Sequence, residues 1–440
     1  MAENSSFLET SKRLLEDCSD PLGGFILRRN TFSVFAEPRD VEVLSLLSKL
    51  PTQVGDPADG PRGGTFVKAS GSGFSKEAAV APALAELIER RAAYSIDQRR
   101  VFWASARELG KYALDLASLP ACSQTELENP LCGVVTPNKD IPIRWIEGTS
   151  LNTGEQRAIP YSLVTLSHSS LRPEERLQVP ISTGLAAHTS MVEAIEAGLL
   201  ELIERDALSI MWLQQVSRGS LLGWSSEEPA MKHKAATETG VQWFVVDIRT
   251  DLDIPTVLCV RVASREIFGH TLIACSAGFD MDLLIQKTVR DACAATIRFR
   301  TPPAIPAGVE DFTEIHHGLT YMAHRDRSHA FSFLLESKQS SFDSAKADSY
   351  RDNHPVKRVT YLVERLEQLG LESFAVPLTS LEANSLGLQV VRVVAPGLQP
   401  LAHRYDTRYL AHPRLYDAPR RMGFQVRPEP EVNHWPLPFA

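Results

Sequence analysis

The sequence predicts an α+β fold: one large unit of related strand–helix repeats gathered around a shared cavity. Three observations point there. β-type runs such as 243–248 (WFVVDI), 256–262 (TVLCVRV) and 388–396 (LQVVRVVAP) alternate with apolar helical stretches. A pentapeptide, ELIER, occurs at Glu86–Arg90 and again at Glu201–Arg205, in matching surroundings. With 43% hydrophobic and 23% charged residues among 440, the composition excludes disorder, collagen-like repeats and coiled coils, and it allows a large core without staples.

In chain order, residues 1–60 read as a segment packed on the core, 61–425 as the main unit and 426–440 as a proline-containing tail. The first ELIER follows KASGSGFSKEAAVAPALA and the second follows VPISTGLAAHTSMVEAIEAGLL. Each context reads as a small, Gly/Ser-rich strand end, a Ser and a long apolar helix. A shift of 115 places Ser75 on Ser190, and Ser190-x-x-Glu193 has the spacing of a capping box. A fainter third copy starts at Gly278 with Asp280 as its capping residue. It sets Asp291 opposite Glu86 and Ala294 opposite Glu89. Segments 121–142 and 301–310 are Pro-rich connections, and 335–356 is a polar loop.

A net charge of −8 argues against broad nucleic-acid binding, which needs a basic surface. Six scattered cysteines without a C-x-x-C pair form neither a disulfide framework nor a zinc site, and they suggest a reducing compartment. The opening MAENSSFLETSKRLLED is charged every few positions, unlike a secretory signal, and no stretch approaches the ~20 apolar residues of a membrane span. These features predict a cytoplasmic protein with neither nucleic acid nor membrane as partner. Phosphate-loop, G-x-G-x-x-G, G-x-S-x-G and H-E-x-x-H signatures are absent. His316, His317, His324 and His329 lack acidic or thiolate neighbours and read as packing or surface residues.

The repeated motif carries the chemistry. Glu86 and Glu89, like Glu201 and Glu204, are three apart and share a helix face. Ala79, Pro82 and Ala93 beside the first pair, and Ala194 and Ala197 beside the second, leave room above the carboxylates. Alternatively, Glu86–Arg90 and Glu201–Arg205 are surface i,i+4 pairs, each worth ~0.2–0.5 kcal/mol. Against that, Glu86 is the only charge from Ala78 to Ile88, so the helix is predicted to be buried all round. A buried carboxylate must be paired, protonated or bound to a cation. Two such helices predict a shared acidic cavity for Mg2+, with phosphates completing the shell and the arginines facing them.

At these residues the chain resembles the YcaO family, whose members carry paired E-x-x-E-R helices after glycine-rich segments. The resemblance runs through ISTGLAAHTSMVEAIEAGLLELIERDA (181–207), DIRTDLDIPTVLCVRV (247–262), IACSAGFDMD (273–282), HHGLTYMA (316–323) and VVRVVAPGLQPL (390–401), with DPLGGFILRR (20–29) as the opening strand. It implies a YcaO-type fold around a nucleotide cavity, with ATP and Mg2+ as cofactors and ATP-dependent activation of a peptide backbone amide as the activity. Carried over by position, Glu86, Glu89, Glu201 and Glu204 ligate Mg2+ or ATP. Glu89, Glu204 and the terminal Ala440 count as catalytic. Ser70 and Ser72, placed on a glycine-rich turn, meet phosphate through backbone N–H groups, and Arg90, Arg290 and Arg298 are further nucleotide contacts.

The chain departs from the family pattern in places. Pro82 and Ala197 stand where many members have a hydroxyl or amide, and Ala294 and Ile297 replace the Glu and Gln of the third helix's R-x-x-x-E-x-x-Q. The ending NHWPLPFA approximates the proline-rich tail that reaches the active site of azoline-forming members, with Ala440 in place of the last proline. The resemblance favours a cyclodehydratase forming thiazoline or oxazoline rings from Cys, Ser or Thr of a ribosomally made precursor peptide. The alternatives are a thioamide- or amidine-forming enzyme, or an inactive scaffold subunit. Residues 1–60 are too short for a complete leader-binding winged helix, so a separate leader-binding protein is expected, within a homodimer or a hetero-oligomeric synthetase complex.

Overall fold

The computed structural model describes residues 12–19, 24–34, 41–50, 66–221, 240–338, 340 and 354–439. Among them the strands form three antiparallel sheets. The first holds β1 (Ile26–Val34), β2 (Val41–Lys49) and β3 (Phe66–Gly73) in that order. The described part of the N-terminal segment therefore shares a sheet with the first repeat. Helix α1 (Lys76–Tyr94) follows β3 directly.

The second sheet runs β4 (Val101–Ala104), β5 (Ile143–Ser150), β12 (Phe374–Pro377), β13 (Gln389–Val394), β7 (Leu185–His188), with β6 (Gln156–Pro160) also on β5. Its edge strand β7 leads into α2 (Met191–Gln214). The third sheet, β11 (Thr271–Ala277), β10 (Thr256–Ala263), β9 (Val241–Asp247), β8 (Gly219–Ser220), leads from β11 into α3 (Met281–Ala295). The connection at 121–142 folds a short helix, Gln124–Glu128, under its own Ser123 cap.

Helices α1, α2 and α3 each start where a short polar side chain accepts a backbone N–H three residues on. Ser75 accepts from Ala78 (3.1 Å), Ser190 from Glu193 (3.3 Å) and Asp280 from Leu283 (3.0 Å). The capping box expected at Ser190 is only half made. Glu193 does not reach back to the backbone; it accepts the Ser190 hydroxyl at 2.6 Å and meets His188 Nδ1 at 3.0 Å.

The glycine-rich run before α1 is a strand, not the expected turn, and its glycines serve close packing. A Cβ on Gly71 would overlap the backbone of Ala79 and Ala83 and stand 2.9 Å from Pro82 Cγ. The bare Cα lets α1 lie directly on β3. Apolar burial then locks each helix: Ala83 and Leu87 of α1 pack on Leu44, Leu46 and Val67. Leu199 and Ile203 of α2 pack on Val391 and Val393, and Leu284, Ile285 and Val289 of α3 pack on Val41, Val43, Val257 and Cys259.

Helix α1 is not buried all round as its composition suggested. Pro82 is exposed, and Ala81, Ala85, Glu86 and Glu89 are half-buried along one stripe. The stripe, with the partly exposed Glu193, Ala197 and Glu201 of α2, forms the candidate cleft, since the charge of Glu201 acts on Glu89. Alanine and proline carry no polarity that distinguishes a cleft wall from a core face. No helix among the described residues is long and apolar enough to cross a membrane.

Candidate active site

The leading glutamate of each ELIER is held in one way, twice over. Glu86 accepts the Ser70 N–H of the preceding strand at 2.5 Å and pairs with Arg90 at 2.7 Å. Glu201 accepts the Gly184 N–H at 2.9 Å and pairs with Arg205 at 3.4 Å. The trailing glutamates cross to the next repeat. Glu89 of α1 accepts the Ala187 N–H of β7 at 2.8 Å. Glu204 of α2 accepts the Cys275 thiol of β11 at 3.2 Å and also meets Arg205. The ring closes through Ser72 of β3, whose hydroxyl donates to Asp291 of α3 at 2.7 Å, where Arg290 Nε also binds at 3.1 Å.

This geometry crowds carboxylates. Burial pushes the Glu89 carboxyl up to about 8, and the negative charges of Glu201 and then Glu86 add to the rise against the Ala187 N–H and Arg90. Burial also raises Glu201, opposed by Arg205 and Gly184. Against the cost of its own burial, Arg205 is held charged by Glu204 and Glu201. Burial lowers Arg392 of β13 to about 10, with Glu201 opposing.

A dication at this place would relieve the strain on Glu89 and Glu201, so the donor set suits Mg2+. Among the described residues no three His, Cys, Asp or Glu side chains converge closely enough to hold an ion alone.

The other expected residues divide. Ser70 and Ser72 lie on β3, and the Ser70 N–H and the Ser72 hydroxyl are engaged with Glu86 and Asp291. A phosphate turn does not form there, because glycines spaced for strand–helix contact read like glycines of an anion-binding loop. Arg290 pairs with Asp291. Arg298 is accessible at the cleft mouth, where the crowd of surrounding atoms lowers its guanidinium, Glu86 opposes and Arg90 adds to the fall.

Ala79, Ala93 and Ala194 are fully buried, leaving Pro82 and Ala197 as the small residues open to the cleft. His317 packs on Phe312, with ring centroids 5.4 Å apart. Ala440 lies outside the described residues, as does most of 335–356. The tail before Ala440 folds inward: Trp212 Nε1 donates to the Trp435 carbonyl at 2.9 Å, and the Phe439 ring lies 4.4 Å from Arg205 Cζ.

Sequence reasoning gave Arg205 only as one of two arginines facing phosphate, and left out Cys275, Phe439 and Glu193, the last lying two turns before Glu201 on the same face of α2 with exposed Ala197 between them; it also left out Arg392, which lines a separate cavity beside the site. Arg205 carried a signal, as the counterpart of Arg90. Arg392 carried one too, as the only charge in VVRVVAP. Cys275 sits in an apolar strand and carried none.

A family model described as YcaO cyclodehydratase, ATP- and Mg2+-binding, matches residues 70–399. The chain belongs to the YcaO family. ATP and Mg2+ are its cofactors as a YcaO protein, and its mixed helix-and-sheet architecture is that of YcaO heterocyclases. It superposes on a heterocyclase in complex with substrate and cofactor with a TM-score of 0.78 at 22% identity, covering 98% of this chain and 57% of that one. The YcaO protein of Methanopyrus kandleri bound with AMPPCP and Mg2+ gives 0.63 at 18% identity, covering 90% and 92%. At these identities the likeness is one of fold. The chain spans about half the length of the heterocyclases it matches, 57% of the first and 50% of TruD. An uncharacterized protein in the tfuA 3′ region of Rhizobium leguminosarum bv. trifolii is 26% identical over 363 residues, covering 77% of this chain and 78% of that protein.

Proposed function

We propose that this YcaO protein is an ATP- and Mg2+-dependent cyclodehydratase acting on Cys, Ser or Thr of a ribosomally made precursor peptide. The observation that carries the reading is the cross-repeat carboxylate cluster. Glu89 and Glu201, from two helices, act on each other, and Arg205 ties Glu201 to Glu204. In the reaction, a side-chain nucleophile adds to the preceding carbonyl carbon, the carbonyl oxygen takes the γ-phosphoryl group of ATP, and loss of inorganic phosphate leaves a thiazoline or oxazoline ring. Bound Mg2+ supplies the charge neutralisation that phosphoryl transfer needs.

The chain's own residues position the reactants. Glu86, Glu89, Glu201 and Glu204 would hold the metal–nucleotide, fixed by the Ser70, Ala187 and Gly184 N–H groups so that little reorganisation is needed. Arg90 and Arg298 at the cleft mouth would meet phosphate oxygens. Phe439 keeps the tail against Arg205, where it would exclude water from the reacting amide. Leader recognition is assigned to a separate partner chain within a synthetase complex.

Calorimetry with ATP and Mg2+ tests the site: wild type should bind and Glu204→Ala should not. Mass spectrometry of the peptide then tests the chemistry, with one water lost per ring for an azoline and sulfur in place of oxygen for a thioamide. Ala294 and Ile297, in place of the third helix's polar pair, favour a scaffold subunit as the second reading. A chain that binds its partners but no nucleotide would establish it.

A further inference from the structure

Beyond the carboxylates, α2 turns its Leu202 and Arg205 toward a half-enclosed cavity of about 40 Å3. The walls are mostly apolar, built from Leu163, Ile181, Leu202 and Leu401, but Arg392 and Gln399 break the pattern. Arg392 is only 4% accessible. It donates Nε to the Leu163 carbonyl at 2.9 Å and Nη1 to the Ile181 carbonyl at 2.7 Å. Its Nη2 has no hydrogen bond among the described residues, and no carboxylate forms an ion pair with it.

The charge of Glu201 acts on Arg392 without an ion pair between them, and a buried guanidinium that no carboxylate contacts is costly to keep, so such a group suits a place where it meets an anion. Gln399, 1% accessible, has a buried Oε1 without a partner. A cation beside an unpaired acceptor suits an anion that also carries a hydroxyl. Size narrows the choice. At roughly 10–15 Å3 per water, the cavity holds about three waters. That is room for a phosphate ion and far too little for a nucleoside or a folded peptide segment.

We propose that this cavity is a binding site for inorganic phosphate, the ion left after the phosphoryl group has passed through the carboxylate cleft. Arg392 Nη2 binds its oxygens and Gln399 Oε1 accepts its hydroxyl. Arg205 stands between the two compartments, already paired with Glu201 and Glu204 on the cleft side. Apolar walls strengthen each contact by lowering the local dielectric. The inference rests on the ATP-dependent reading above, and ADP binding checks that reading independently.

The experiment is a titration of inorganic phosphate into the full-length protein loaded with ADP and Mg2+, for wild type, Arg392→Met, Arg392→Lys and Gln178→Glu. Gln178 is a half-buried wall residue whose replacement sets a like charge against phosphate. Phosphate affinity should fall at least tenfold in Arg392→Met and Gln178→Glu and only a few-fold in Arg392→Lys, with ADP affinity within twofold throughout. Should Arg392→Met misfold because it strands two carbonyls, Gln178→Glu and Arg392→Lys carry the decision. Wild type that binds ADP but no phosphate overturns the site, as does unchanged phosphate affinity in the variants or ADP affinity lost in parallel. Wild type that fails to bind ADP overturns the underlying reading instead.

Discussion

Gly71→Ala would test how tightly the carboxylate cluster depends on the contact between β3 and α1. An alanine in a strand interior is ordinarily better than glycine by roughly 0.5–1 kcal/mol, so intrinsic preference predicts stabilisation. Sterics predict the opposite. The new Cβ would stand 2.9 Å from Pro82 Cγ, against 3.4 Å at the near edge of ordinary contact, and nearer still to backbone atoms of Ala79 and Ala83. Helix α1 must therefore retreat from β3 by at least about 0.5 Å, since backbone atoms cannot rotate away as side-chain ends can.

Overpacking of that kind costs ~1–3 kcal/mol and wins over the propensity gain. The retreat also carries Glu86 away from the Ser70 N–H and Glu89 away from the Ala187 N–H, contacts now at 2.5 and 2.8 Å. A misplacement of ~1 Å costs on the order of a hundredfold in a preorganised site, so the nucleotide should bind roughly ten- to a hundredfold more weakly. Urea unfolding gives the stability change and calorimetry with ATP and Mg2+ the affinity. The control is Gly154→Ala, at φ +75° with nothing within 4 Å of its Cβ, which should cost stability through backbone strain but leave affinity intact. Wild-type stability and nucleotide affinity in Gly71→Ala would refute the reasoning.

Three further outcomes follow from the same geometry. Glu89→Gln removes a charge that burial and Glu201 already disfavour, so its unliganded melting temperature should hold or rise while ATP–Mg2+ affinity drops tenfold or more; a fall in both would place Glu89 in the framework instead. Arg414→Met leaves Asp206 and Asp251 buried without the guanidinium they share at 2.7 and 2.6 Å, and chemical denaturation should register a loss of ~3–5 kcal/mol. His412 is buried and, with Arg414 pushing the same way, lowered to about 4 from 6.5, so between those values the unfolded chain binds the proton more readily and stability falls as pH drops. Its contribution to that slope, ~1.4 kcal/mol per pH unit at most, should disappear in His412→Phe when both proteins are unfolded from pH 7 to 4.

The sequence by itself determined the two acidic helices with their capping residues Ser75 and Ser190, the cap Asp280 of the third helix, the pairing of glutamates on one face and the α+β class. Those are short-range matters: a capping bond spans three residues and a helix face repeats every three or four, so spacing alone records them. Only the tertiary structure decided what the glutamates touch. Ala187 donates to Glu89 from 98 residues away and Cys275 to Glu204 from 71, and a backbone N–H or a thiol in an apolar strand leaves no mark in the sequence at the distant end. The same limit explains the glycine-rich run, whose residues suit a phosphate turn or a strand beneath a helix equally until α1 is packed upon it. It explains the open stripe of α1 and the buried cation of Arg392 as well, since burial is a property of three sheets packed together and not of any one segment's composition.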